Sequence, residues 1–281
     1  MKYVFFGTSD FAVTILERLI QAGFIPSAIV TNPDRPVGRK HILTPPPVKR
    51  WLRDNTPLFK DQISVFQPIK LGEVKKDLED LKPDLFIVAA YGKIIPKSIL
   101  EIPKHGSINV HPSLLPLHRG PTPIQTALLH GDKETGVSIM LLDEAMDHGP
   151  ILKNQKSKIK NQNYGELSKE LADLGAELLI EVIPEWMDGK IVPVPQDDEK
   201  ATYTRIYKGE NGLLDFSKSV EELDHQIRAL NPEPGTYFMK DGKRIKVLKA
   251  HIDDGKLIAE IIQSDGKKPM QYGKTIEVQP Q

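Results

Sequence analysis

The stretch LFIVAA, residues 85–90, decides the fold class of this chain. Six consecutive apolar residues indicate a β-strand covered on both faces, as in a parallel sheet between two layers of helices. The charged amphipathic segment Glu73–Leu81 precedes it and predicts a helix, and Ser107–Val110 follows as another short strand. Strands and helices in alternation are typical of an α/β architecture.

The same alternation continues on both sides of this stretch. The predicted strands are Tyr3–Phe6, Ser27–Thr31, Ile63–Gln67 and Val137–Leu142, and the predicted helices are Phe11–Phe24, Thr122–His130 and Tyr164–Met187. This order predicts a doubly wound, mostly parallel, Rossmann-like sheet over residues 1–189. The first turn, GTSD at residues 7–10, lacks the further glycines of a dinucleotide site and predicts an ordinary helix start.

Beyond residue 189 the character of the sequence changes. Residues 190–205 are rich in proline and charge and have no apolar period, which predicts a linker. Residues 206–281 hold the helical segment Val220–Leu230 and four short strand-like runs, at 236–239, 244–250, 257–262 and 275–278. The sequence therefore predicts a second, small domain that is mostly β-structure.

The composition excludes several classes of protein. Lys plus Arg and Asp plus Glu both number 38 among the 281 residues, so no overall charge favours indiscriminate nucleic-acid binding. The lack of cysteine excludes disulfides and a cysteine nucleophile, and the eight histidines show no spacing typical of zinc, so we expect no metal. No apolar run suits a membrane span or a signal peptide, which favours a cytoplasmic protein.

Two polar side chains stand at the end of a predicted buried strand, in SINVHPSLLPLHRG, residues 107–120. Asn109 and His111 are two positions apart in an extended segment, so they point to the same side, at the strand end where open α/β sheets bind ligands. The loop LLDEAMDHG, residues 141–149, offers Asp147 as a carboxylate that orients His111 and sets its tautomer. We expect the adjacent His148 to be structural or exposed.

These side chains suit the attack of an amine on a carbonyl group. The amide of Asn109 can donate to the oxygen on which negative charge develops, and the imidazole of His111 can assist that oxygen or relay the amine's proton. Neither metal-ligand spacing nor a serine elbow accompanies them. The alternative is a buried Asn and His that are satisfied by neighbouring backbone groups.

Several motifs together resemble those of the methionyl-tRNA formyltransferases, within the folate-dependent formyltransferase family. They are TNPDRPVGRKHILTPPPVK at 31–49, AYGKIIP at 90–96, INVHPSLLPLHRG at 108–120, TGVSIMLLDEAMDHGPIL at 135–152 and IRALNPEPG at 227–235. The resemblance runs from Lys2 to about Val247. The Asn, His and Asp set is common to all folate-dependent formyltransferases, so it identifies the reaction better than the substrate.

The resemblance implies a catalytic trio of Asn109, His111 and Asp147. It would transfer a formyl group from 10-formyltetrahydrofolate, the donor co-substrate, to the α-amine of methionyl initiator tRNA and so support translation initiation. The same comparison implies that residues 113–116 form a folate-contacting loop, and that residues 93–95 together with the loop 144–146 wall the pterin pocket. These residues are Ser113, Leu114, Leu115, Pro116, Lys93, Ile94, Ile95, Glu144, Ala145 and Met146.

The resemblance also implies binding of tRNA. The loop from Asn32 to Pro47 is too long for a tight turn, and loops of this length are usually functional or disordered. Its basic side chains would approach the acceptor stem, with Arg39 reading the unpaired end of initiator tRNA, and C-terminal lysines would add phosphate contacts. The implied tRNA-binding residues are Arg35, Arg39, Lys40, His41 and Lys243. We expect a monomer.

The chain departs from the family pattern at two points. Glu233 stands where an aromatic residue is frequent, and few residues follow Val247, so the resemblance implies an OB-like C-terminal barrel that is shortened. Two other functions stay open. A sugar-nucleotide amine N-formyltransferase would keep the trio without needing the basic loop. A non-catalytic folate- or RNA-binding relative is a third possibility, against which the intact trio argues.

Overall fold

The computed structural model describes residues 1–38, 41–59 and 62–276 of this chain. These residues form two compact units. The first unit contains Met1–Arg119, Gly136–Ser157 and Lys169–Thr202, and the second contains Gly120–Thr135, Lys158–Ser168 and the described residues from Tyr203 onward. Each unit is thus discontinuous in sequence.

Strands and helices alternate along the first two thirds of the chain. In chain order they are β1 Tyr3–Gly7, α1 Asp10–Gln21, β2 Ala28–Val30, β3 Arg35–Val37, β4 Ile42–Thr44, α2 Pro47–Phe59, β5 Ser64–Phe66, α3 Lys75–Leu81, β6 Leu85–Ala89, α4 Lys97–Leu100, β7 Ser107–His111, α5 Pro123–His130, β8 Glu134–Leu141, β9 Ile151–Lys158 and α6 Tyr164–Met187. The rest are α7 Val220–Leu230, β10 Thr236–Lys240, β11 Lys243–Asp253, β12 Lys256–Ser264 and β13 Met270–Thr275.

The predicted Rossmann-like sheet is confirmed. Its strand order is β5-β2-β1-β6-β7-β8-β9, in which the first five strands are parallel and β8 runs antiparallel to β7. The apolar run that decided the fold class forms β6, between β1 and β7, and all its side chains are buried. A strand in this position is covered on both faces, which explains why its sequence shows no polar alternation.

The two faces of the sheet are covered by different helices. Val4 and Phe6 of β1 lie in one apolar cluster with Leu78 of α3, whereas Gly7 approaches Ala12 of α1 on the other side. In the same way Val110 of β7 meets Gly175 of α6, where an added Cβ would lie 2.7 Å from the valine methyl group. Because successive side chains of a strand alternate, Asn109 and His111 point away from α6.

Four strands of the structure differ from the prediction. The predicted long loop at residues 32–47 contains the β3–β4 hairpin, and β9 was not predicted, since both elements are largely exposed and carry no apolar period. The last described strand is β13, Met270–Thr275, rather than 275–278. Residues 277 and 278 of that prediction lie outside the described part of the chain.

The second unit contains the predicted C-terminal β-structure. Its antiparallel sheet has the order β10-β11-β12-β13, and its core joins Leu223 and Ile227 of α7 to Val247 of β11. Ser219 begins α7 as a capping box with Glu222, which satisfies free backbone N–H groups of the first turn. Among the described residues, no helix is both long and apolar enough to cross a membrane.

Replacing Gly175 with alanine should destabilise the fold, because the new Cβ would push α6 away from Val110 and Val137. Overpacking of this kind costs about 1–3 kcal/mol. Urea unfolding followed by circular dichroism measures the effect. Gly165→Ala is the matched control in the same helix, since its Cβ would meet only a side-chain oxygen at 3.4 Å. Equal stability of the two variants would contradict the assigned packing.

Candidate active site

Strand β7 presents two polar side chains at its carboxyl end. Asn109 pairs with Val88 of β6 and Met140 of β8, so neighbours on both sides fix its backbone. Its residue is only 8% exposed, and its carboxamide makes no hydrogen bond within the described part of the chain. Its amide atoms keep some contact with solvent, so its N–H groups are able to donate to a bound molecule.

The imidazole of His111 lies between a backbone carbonyl and a carboxylate. Its Nε2 is 3.0 Å from the carbonyl oxygen of His118, and its Nδ1 is 3.6 Å from Oδ1 of Asp147. Since a carbonyl only accepts, Nε2 carries a proton, and His118 rather than Asp147 sets the tautomer. The distance to Asp147 exceeds that of a hydrogen bond. In the neutral ring, the lone pair of Nδ1 faces the carboxylate.

Contacts within the loop and with Asp198 hold the loop that carries Asp147 in one conformation. Asp147 has a φ of +48°, and Gly149 lies so close to the carbonyl of Leu141 that a Cβ would overlap it. His148 bonds Asp143 through Nδ1 at 2.6 Å, and its Nε2 is 3.4 Å from Asp198. The contacts with these two carboxylates give a physical reason for the predicted structural role of His148.

Nearby carboxylates change the pKa of His148. Its pKa is raised above the usual value, chiefly by the hydrogen bond to Asp143, against the opposing effect of burial, and the charges of Asp143 and Asp198 raise it further. The pKa of Asp198 is lowered, chiefly because Arg119 donates a hydrogen bond to its carboxylate. The protonated imidazole is thus favoured in the folded protein.

Sequence reasoning missed two residues near this loop. Gln196 donates to the carbonyl oxygens of Asp147 and Gly149, and it accepts from the buried Arg119. Gln196 lies in the stretch predicted as a linker, where Val194 also forms an isolated β-bridge with Ile151. The only signal in the sequence was Arg119 within HRG, a charged residue directly after an apolar loop.

Hydrogen bonds from the buried hydroxyl groups of Ser113 and Ser138 hold the segment Ser113–Pro116 in place. The hydroxyl of Ser113 is fully buried and donates to the carbonyl of Leu117 at 2.6 Å. The hydroxyl of Ser138 donates to the carbonyl of Ser113 at 2.8 Å and accepts from the N–H of Leu115 at 3.1 Å. Leu115 is buried, while Leu114 and Pro116 are half-buried. The segment follows His111 directly and has a fixed shape.

The other predicted folate-contacting residues have contrasting environments. Ile95 is part of the apolar core, whereas Ile94 and Met146 are 84% and 56% exposed. An ion pair of 3.2 Å between Lys97 and Glu144 connects the segment after β6 to the loop that includes Ala145.

The amino group of Lys93, which belongs to the same predicted group, binds backbone carbonyl groups. Its Nζ donates to the carbonyl oxygens of Pro68 and Ile69 at 2.9 and 3.1 Å. Burial lowers the pKa of its amino group, and the charge of Arg35 acts in the same direction. The aliphatic stem of Lys93 is thereby fixed beside the end of β6.

The predicted tRNA-binding residues lie on two elements. Arg35 begins β3 and His41 follows the turn of the hairpin, and both are exposed, whereas Arg39 and Lys40 lie outside the described residues. Asp34 anchors the base of the hairpin by accepting from Lys49 at 2.9 Å and from Gln67 at 2.8 Å. Lys243 begins β11 of the second unit and is also exposed.

Known proteins match the chain over most of its length. A family model described as formyl transferase matches residues 1–183, and a model of the formyl transferase C-terminal domain matches residues 206–267. The methionyl-tRNA formyltransferase of Halalkalibacterium halodurans is 45% identical over 251 residues, which is 88% of this chain and 77% of that protein. The protein of the same name from Dictyoglomus thermophilum is 43% identical over 95% of this chain and 86% of its own.

Solved structures match the fold at much lower identity. A 4-N formyltransferase from Francisella tularensis has a TM-score of 0.67 and 19% identity, covering 88% of this chain and 96% of that one. A methionyl-tRNA formyltransferase from Clostridium thermocellum has a TM-score of 0.62 and 18% identity, covering 94% and 98%. An N-formyltransferase from Helicobacter canadensis, solved with folinic acid and dTDP-3-aminofucose, has a TM-score of 0.65 and 19% identity, covering 97% and 99%.

Replacing His148 with glutamine should remove stabilisation that exists only while the imidazole is protonated. The folded-state pKa is raised, so this stabilisation is complete below the unfolded value of about 6.5 and is lost as the pH rises through the folded value. The variant should lose more free energy of unfolding at about pH 5.5 than at about pH 9, as measured by urea unfolding. Asp143→Asn is the control that should weaken this pH dependence. Equal losses at both pH values would refute the assignment.

Proposed function

Because the chain belongs to the formyl transferase family and, within it, to the methionyl-tRNA formyltransferases, we propose that it formylates the α-amine of methionyl initiator tRNA. The formyl donor is 10-formyltetrahydrofolate, and the product serves translation initiation in the cytoplasm. One observation carries the proposal: Asn109 and His111 stand at the end of β7, with Asp147 3.6 Å from His111, in a chain 45% identical to a protein with that activity in its name.

Asn109, His111 and Asp147 have different roles in the proposed reaction. The donor supplies a formyl carbonyl, whose carbon is attacked by the nitrogen of the amine. Asn109 donates its N–H to the formyl oxygen as negative charge develops there. His111 and Asp147 together hold the proton that the amine loses, since Nδ1 and the carboxylate face each other at 3.6 Å. When the bond from the formyl carbon to the folate nitrogen breaks, that nitrogen takes up a proton, which completes the balance.

We propose that apolar side chains and a fixed backbone segment bind the folate donor. The proposed wall for the pterin ring consists of exposed Ile94 and Met146 together with the braced segment 113–116. A pocket of this type holds a flat ring by apolar contact, while fixed backbone groups provide the directed hydrogen bonds. Ser113 contributes by holding the segment, because its own hydroxyl is turned to Leu117.

We propose that tRNA is recognised by basic residues at two places. The β3–β4 hairpin contributes Arg35, Arg39, Lys40 and His41, and Lys243 contributes a phosphate contact from the second unit. This assignment follows the two domains predicted from the sequence, a formyltransferase domain over residues 1–189 and a tRNA-binding domain over 206–281, joined by 190–205. The separate family models over residues 1–183 and 206–267 support the division.

An amino-sugar nucleotide is the competing substrate. N-formyltransferases named for a sugar or solved with a sugar nucleotide share the fold, with TM-scores of 0.63 and 0.65, so the fold does not discriminate between the two substrates. What favours tRNA is the identity of 41–45% to relatives named methionyl-tRNA formyltransferase, together with the basic hairpin.

Removing either polar group of β7 should slow formyl transfer. Asn109→Ala and His111→Ala are each expected to lower kcat by about a hundredfold, the usual cost of losing an oxyanion donor or a proton-transfer group. The measurement is transfer of labelled formyl to methionyl initiator tRNA. Asn154→Ala, on the exposed edge strand β9, is the control that should keep full activity. Near-normal rates in both site variants would exclude the assigned roles.

Loss of a basic residue in the hairpin should affect tRNA and not folate. Arg35→Ala and Arg39→Ala are each expected to reduce kcat/KM for methionyl initiator tRNA by about tenfold, while the Kd for the folate donor is unchanged. Lys243→Ala should weaken tRNA binding modestly and lower the salt slope by about one. Arg53→Ala, on exposed α2, is the control. A wild-type preference for an amino-sugar nucleotide over tRNA would replace this proposal with the alternative.

A further inference from the structure

A single amide group connects the Asp147 loop to a buried positive charge. The Nε2 of Gln196 donates to the carbonyl oxygens of Asp147 and Gly149, at 2.9 and 2.7 Å. At the other end of the same amide, Oε1 accepts from Nε and Nη2 of Arg119, at 3.0 and 2.8 Å. Gln196 thus uses both ends of its side chain to join Arg119 to the loop.

Arg119 is suited to hold this position firmly. Its side chain is 1% exposed, and a guanidinium in such surroundings requires several acceptors. Asp198 supplies a carboxylate oxygen 2.8 Å from Nη2. A charged donor at Oε1 polarises the amide of Gln196 and so strengthens the hydrogen bonds that its Nε2 gives to the loop.

The loop needs such support. Asp147 occupies the left-handed region, with a φ of +48°, which non-glycine residues rarely adopt. Conformations of this kind persist only when the surrounding structure determines them. The hydrogen bonds of Gln196 fix the backbone at Asp147 itself and two residues later. They therefore fix where the Asp147 carboxylate lies relative to Nδ1 of His111.

We propose that Gln196, supported by Arg119, is a positioning residue that sets the separation of Asp147 and His111 for the reaction. This inference rests on the proposed formyl transfer. Gln196 acts through the loop backbone rather than on a reacting atom. A misplacement of about 1 Å in a reacting group can slow an enzyme by about a hundredfold, so a residue of this kind affects the rate strongly.

The test uses a variant that keeps a hydrogen-bond acceptor for the buried Arg119. Gln196→Glu retains an acceptor for Arg119 but has no N–H to give to the loop carbonyls. We expect the single-turnover rate at saturating donor and methionyl initiator tRNA to fall by about tenfold or more, with KM for the tRNA changed by less than about twofold. Hydrogen exchange of the amides at residues 143–149 should become faster in this variant.

Gln226 provides a matched control. Its Nε2 also donates to two carbonyl oxygens, those of Asn211 and Leu213, at 2.8 and 3.0 Å, but these lie in the second unit. Gln226→Glu should leave the single-turnover rate within about twofold of wild type, and exchange at residues 143–149 should not change.

A double variant shows whether Gln196 acts through Asp147 or whether its replacement only disturbs the fold. If Gln196 acts through Asp147, the variant Asp147→Asn/Gln196→Glu should be no more than about twofold slower than Asp147→Asn alone. Losses that multiply, a normal rate in Gln196→Glu, or unchanged exchange at residues 143–149 would each overturn the inference while the wild type remains an active formyltransferase. A wild type without formyl transfer to tRNA would overturn the proposed function and this inference with it.

Discussion

The contact of Val110 with Gly175 fixes the direction of the two side chains on which the proposed chemistry depends. Only a glycine leaves room for the valine methyl group under α6, and the alternation of β7 then turns Asn109 and His111 to the opposite face. A shift of one residue in the register would bury both polar groups under the helix. Pairing with β6 and β8 on either side prevents this shift.

The candidate site combines groups held in two different ways. Asn109 and His111 stand on a central strand, whose hydrogen bonds on both sides make it rigid. Asp147 stands on a loop and depends on side chains for its position, above all on Gln196 and the buried charge behind it. The proton position on His111 is fixed by a backbone carbonyl, so the carboxylate is left to interact with the other nitrogen.

The fold itself is shared by formyltransferases named for different substrates, so the fold does not identify the acceptor. We propose that elements outside the central sheet select the acceptor. In this chain the proposed elements are an exposed basic hairpin, anchored by Asp34 at its base, and a second unit with its own apolar core. Elements that carry specificity in this way lie at the surface and tolerate change.

The sequence by itself determined the sheet, the strand that ends in Asn109 and His111, and the family. It could do so because apolar runs such as LFIVAA and motifs such as INVHP are local patterns. It did not predict β9 or the β3–β4 hairpin, since exposed strands carry no apolar signal. The tertiary structure alone decided the tautomer of His111 and the role of Gln196. Arg119 and Gln196 are 77 positions apart, and a hydrogen bond across that separation exists only because folding brings the buried guanidinium and the amide of Gln196 together.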